Sequence, residues 1–176
     1  SDDVNIIARQ NGESAKLTVI FKNIPNELDI DSGGKTKLNE EYLLDKDGLL
    51  KIKKDYSSLS KPKTYILCHH PSNENANDLF YLNITQLQKR VKELGVEGDF
   101  KANTKNEIRK AIWNSLGDSI ELQHTELETG KDGVKDIWEK LTPHFPLFAL
   151  FQADRKNDEK DKEIQDPLKV AAEQAL

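Results

Sequence analysis

Apolar positions in this chain recur in two periods, and the switch between them divides it. Residues 4–9 form a short apolar run, Asn11-Gly12 is a turn pair, and residues 15–24 alternate Leu17, Val19 and Phe21 with lysine and threonine. A period of two around such a dipeptide predicts a β-hairpin. Pro25-Asn26 closes it, and residues 29–36 read as a polar loop containing Gly33-Gly34. Residues 40–44 and 49–54 flank Asp45-Lys46-Asp47-Gly48, with glycine where a tight turn needs positive φ, so a second hairpin is predicted. Its second arm alternates apolar residues with lysine, which leaves one face wet. Residues 64–68 are a further strand, followed by the turn-rich HHPSNENAND.

The period then lengthens. Leu87, Val91 and Leu94 stand at helical spacing ahead of Gly95, predicting a helix over 85–94. Asn103-Thr104 caps a second over 105–116, with Ile108, Ala111, Ile112 and Leu116 on one face and Gly117 at its end. Residues 120–127 read as a short strand, and Val134, Ile137, Trp138 and Leu141 predict a third helix that Pro143 ends. Residues 145–151 are an uninterrupted apolar and aromatic run, the pattern of a central strand covered on both faces. At Gln152 the character flips to Asp154, Arg155 and a charged loop over 156–165; Asp166-Pro167 then caps a helix that runs to Leu176. The expected fold class is α+β, in one domain: a β-hairpin lobe over 1–69, a helical insertion over 83–142, then the strand, charged loop and helix start over 143–176.

Composition narrows the function. Hydrophobic residues make up 36% and charged residues 32%, a lean apolar supply for 176 residues. The net charge of −5 argues against nucleic-acid binding through the whole surface. The single cysteine, Cys68, excludes a disulfide framework and a thiolate metal cluster, and points to a reducing cytoplasm. No apolar run approaches the roughly 20 residues that span a bilayer, so no membrane partner is expected. Methionine is absent even at position 1, and the last helix has no stop signal; both read as a segment of a longer protein.

Several motifs lose to plainer readings. Gly34-Lys35-Thr36 ends like a phosphate-binding loop, but Asp29 stands where its first glycine belongs. Asp45-Lys46-Asp47-Gly48 opens like a calcium loop, but its glycine comes two positions early and Tyr56 occupies the twelfth place. His69 and His70, neighbours on a strand, point to opposite faces and cannot share an ion, even with Glu74 near; His124 and His144 stand alone. No metal site is expected, the carboxylate-rich 156–165 loop being read as solvated. Cys68 looks buried rather than activated, and no catalytic constellation emerges. Asp154 and Arg155, delivered at the end of a central strand, are the candidate site residues, with a loop-closing salt bridge as their alternative.

The order KLTVIFKNIP, EEYLLDKDGLLKIKKDY, helices, then FPLFALFQADRKNDEKDKEIQDPLK resembles the interior of bacterial ATP-binding proteins of the SMC-like and OLD-like (overcoming lysogenization defect) class, ABC-type AAA family ATPases. The resemblance implies a parent that hydrolyses ATP with Mg between two head domains closing on DNA, in phage defence or repair. It puts the Walker A and Walker B segments outside this stretch, so the segment alone is expected to be non-catalytic and to hold no cofactor. Asp154 and Arg155 are the residues that fall on a family motif, near the nucleotide site. The implied partners are the rest of the head, a second head in a homodimer, and DNA. The alternative, from another class, is a free-standing interaction or regulatory module without nucleotide binding.

Overall fold

The computed structural model describes residues 14–23, 25, 27–29, 34–57 and 61–146. The chain divides into two compact units, Ser1–Pro143 and His144–Leu176. The expected central strand beyond Pro146, Asp154, Arg155, the charged loop and the terminal helix lie outside the described residues, as does the 4–9 arm of the first hairpin.

The first unit is α+β. Its main sheet runs β1 (Lys16–Phe21), β4 (Leu50–Asp55), β5 (Lys63–Pro71), β6 (Leu122–Glu128), each pair antiparallel. A two-stranded ribbon, β2 (Leu28–Asp29) with β3 (Lys35–Thr36), stands apart. The partner of β1 among the described residues is β4, from Lys16 opposite Asp55 to Phe21 opposite Leu50. The predicted first arm of the second hairpin is not a strand. Residues 37–43 wind through turns closed by Leu43 N–H to Leu38 C=O (2.9 Å) and Glu41 N–H to Lys37 C=O (3.2 Å), with Tyr42 at φ 53°. The reason is spacing: Leu38, Glu41 and Leu43 are all buried, which no period of two achieves. The Asp45–Gly48 turn itself forms where expected, Gly48 taking φ 72°. β5 runs on through His69, His70 and Pro71, residues expected in a loop, because His70 fills a core position.

Alternation gives the main sheet two different faces. Leu50, Ile52, Ile66, Cys68, His70 and Leu127 are buried on one. The other carries lysines neutralised across the strands, Lys53 by Glu126 and Lys63 by Glu128, with Lys53 Nζ 4.6 Å from the Tyr65 ring centroid.

The three predicted helices are present: α1 (Ile84–Glu93), α2 (Lys105–Leu116) and α3 (Val134–Leu141). α1 starts in a capping box in which Asn83 Oδ1 accepts from Gln86 N–H and Gln86 Oε1 from Asn83 N–H, both 2.9 Å. Thr104 stands at the N-cap of α2 but makes no side-chain cap bond there. Leu87, Ile108, Ile112, Trp113, Val134, Ile137 and Leu141 supply the helical share of the core. Gly133, just before α3, has φ 83°, and a Cβ there would stand 1.9 Å from the Phe80 carbonyl oxygen; only glycine fits this approach. No helix among the described residues is long and apolar enough to cross a membrane.

Candidate functional site

The densest polar chemistry of the described residues is buried between the 37–43 turns, α2 and the covered face of the main sheet. Arg109 Nε donates to Glu41 Oε2 at 2.8 Å, with the two side chains 3% and 1% exposed. Thr36 Oγ1 donates to Glu41 Oε1 at 3.2 Å, and the Arg109 guanidinium lies 4.9 Å from the Phe80 ring centroid. Above this pair, His70 stacks on Phe80 (5.2 Å between centroids) and meets Trp113 edge-on (5.9 Å); Trp113 donates Nε1–H to the Ala76 carbonyl at 2.9 Å. Burial pushes His70 down to about 4, helped by the Arg109 charge and opposed by its bond to the Tyr42 carbonyl. His70 is therefore neutral near pH 7, and its Nδ1, 3.2 Å from that carbonyl, carries the proton and donates it. Nε2 is then a buried acceptor with no hydrogen-bond partner among the described residues.

This cluster clamps the fold. The Glu41, Arg109, His70 and Trp113 side chains are buried, so among the described residues the cluster offers no open place for a reacting group. Its signal in the sequence was Arg109 itself, a charge on the same helical face as Ile112 and Trp113, but nothing in the sequence named Glu41 as its partner.

The predicted positions fare as follows. Lys35 and Thr36 lie in β3, opposite Asp29 and Leu28, and the Thr36 hydroxyl is committed to Glu41. A phosphate cradle needs consecutive N–H groups opening into a helix. Here a strand ribbon places a carboxylate opposite the lysine, so these residues do not fit a nucleotide phosphate. Asp45 Oδ1 accepts from Asp47 and Leu49 N–H (2.9 and 2.8 Å), and Lys51 pairs with Oδ2. Although burial raises it, those bonds leave the Asp45 carboxyl below its ordinary value; they close a turn, not a calcium loop. Cys68 is fully buried, its thiol pushed up to about 12 by burial. Among the described residues no three histidine, cysteine or acidic side chains gather as a metal cluster. His69 and His70 do face opposite ways, His70 into the core. A cavity of about 510 Å³ at the end of β1 is walled by Phe21, Leu38 and Leu49 with Lys22 and Lys37; its described lining holds no acid, histidine, serine or cysteine.

No curated protein and no solved structure matches this chain. A family model described as the AAA ATPase domain matches residues 5–176. That span takes in the main sheet, the clamp, the three helices and the stretch that carries Asp154 and Arg155, and the chain belongs to the AAA ATPase domain family.

Proposed function

We propose that this chain is the antiparallel β-lobe and helical insertion of an ATP-hydrolysing head of the SMC-like or OLD-like kind, a non-catalytic scaffold within a protein that acts on DNA in phage defence or repair. One observation carries the reading. In a family of ATPases, Lys35 and Thr36 of the Gly34-Lys35-Thr36 triad pair in a strand ribbon with Asp29 and Leu28. The phosphate-binding loop and the Mg-holding carboxylates then come from other segments, and this lobe supports them through its buried clamp. Asp154 and Arg155 are proposed to lie beside the nucleotide. The heads work as a homodimer. Because Lys53 and Lys63 are already neutralised by glutamates, the open sheet face is not the DNA contact; the closed pair of heads makes it.

The test compares Mg·ATP binding and hydrolysis by this 176-residue chain with those of the full-length protein. Neither activity is expected in the chain; both are expected in the full-length protein, where Arg155→Ala lowers hydrolysis and Lys35→Ala leaves it unchanged. Stoichiometric ATP binding by the chain alone would overturn the scaffold reading. A second reading, a protein-interaction module, draws on β1, the edge of the main sheet among the described residues, whose Leu17, Val19 and Ile20 are 54%, 42% and 50% exposed. Absence of ATP binding in the full-length protein would favour it.

A further inference from the structure

His69 on β5 and His124 on β6, which the sequence places far apart, are direct partners across the sheet. The hydrogen bonds around them define the type of pair. His69 donates its N–H away from β6, to the Leu44 carbonyl at 2.8 Å. The bonds that flank the β5–β6 ladder instead use even-numbered residues on the β5 side: Ser72 N–H to Glu121 C=O (2.8 Å) and Thr129 N–H to Thr64 C=O (2.9 Å). A strand residue's N–H and C=O point to the same side, so His69 and His124 form a non-hydrogen-bonded pair, whose Cα atoms stand about 4.5 Å apart with side chains in closest approach. Because Ile66, Cys68, His70 and Leu127 take the buried face, both imidazoles project from the open one. His69 is half-buried and His124 exposed, and neither ring makes a hydrogen bond or ring contact among the described residues.

We propose that His69 and His124 chelate one borderline divalent transition ion on the open face of the sheet. Two neutral imidazole nitrogens suit Cu(II) best, then Ni(II) or Zn(II), with water filling the remaining positions. The acidic residues further along the same face are committed, Glu126 to Lys53 and Glu128 to Lys63, so among the described residues the site offers nitrogen and no free carboxylate. That chemistry rejects Mg(II) and Ca(II), which seek oxygen. It also differs from a closed structural zinc site, which uses four protein ligands. The ion would clip β6 to β5 and so bind the folded sheet in preference to the unfolded chain. The inference does not depend on the nucleotide reading above.

The experiment titrates the full 176-residue chain with Cu(II), Ni(II), Zn(II) and Mg(II) by calorimetry, with electron paramagnetic resonance on the Cu(II) sample and thermal melting in parallel. His69→Ala, His124→Ala and, as a control, His144→Ala are compared; His69 and His124 contribute nothing to the core, so their loss leaves the fold intact. One Cu(II) per chain with nitrogen coupling in the spectrum, a raised melting temperature, and affinity at least about tenfold lower in either sheet variant are expected, since each removes half of a chelate. His144→Ala should bind like the parent chain. Equal titrations of the parent and the two sheet variants would overturn the proposal, as would loss of binding in His144→Ala or equal uptake of Mg(II).

Discussion

Arg109 on α2 reaches across 68 positions of sequence to hydrogen-bond Glu41 at 2.8 Å, with both charges sealed from water. The contact fastens the 37–43 turns, and through Thr36 the β2–β3 ribbon, to the helical half of the unit. A buried pair of this kind is weak evidence of net stability, but losing one partner strands the other charge. Arg109→Met alone is therefore expected to cost about 3–5 kcal/mol. Adding Glu41→Leu should recover most of it, since the stranded carboxylate is gone. Urea midpoints of the two single variants and the double variant measure this coupling.

The parts that were legible in the sequence are those whose physics is local. The apolar spacing of Ile108, Ile112 and Leu116 and of Val134, Ile137 and Leu141 placed α2 and α3 at their observed limits, alternation located β1, β4 and β6, and the run 64–68 marked the first part of β5. What alternation does not carry is the identity of a strand's partner. β1 pairs with β4, and β5 pairs with a strand that arrives after two helices have intervened, so neither Arg109–Glu41 nor His69–His124 was visible. Residues 40–44 read as a strand arm in the sequence but fall in and just after the 37–43 turns, because burial there is set by the clamp and by two leucines five apart. Asp154 and Arg155, the site residues favoured by the sequence, lie outside the described residues.

His70 makes stability depend on pH in a definite window. Burial lowers its folded value to about 4, below the ordinary imidazole value, so the unfolded chain takes up the proton first. Its contribution is complete above about pH 6.5 and is lost as pH falls towards 4, a total of about 3 kcal/mol. Urea midpoints between pH 4.5 and 7 should fall steadily with acidification. The slope should flatten in His70→Phe, which keeps the aromatic packing on Phe80 and Trp113 but has nothing to protonate.

Gly133 and Gly48 separate steric exclusion from backbone preference. Both have positive φ, 83° and 72°, but a Cβ at Gly48 meets open space while one at Gly133 collides with the Phe80 carbonyl. Gly48→Ala should cost about 1 kcal/mol from the left-handed backbone alone. Gly133→Ala must also push the Leu79–Tyr81 turn away from α3 and should cost at least about 2 kcal/mol more. Thermal melts of the two variants give the ranking, and equal losses would mean that the approach of Phe80 to Gly133 is not tight in solution.

Cys68 reports on opening of the sheet. Its thiol is fully buried, its Sγ donates to the Thr125 carbonyl at 3.6 Å, and burial pushes it up to about 12, so almost no thiolate exists at pH 8 in the folded chain. Since the thiolate is the species that reacts, a disulfide reagent should label the native chain far more slowly than the urea-unfolded chain. Reaction must wait for β5 and β6 to separate, and the labelling rate then follows the free energy of that opening. Arg109→Met should accelerate labelling along with its loss of stability if releasing the clamp loosens the whole unit. If labelling stays at the parent rate while the urea midpoint falls, the clamp holds the helical half without bearing on the β5–β6 ladder, and the unit opens in two steps.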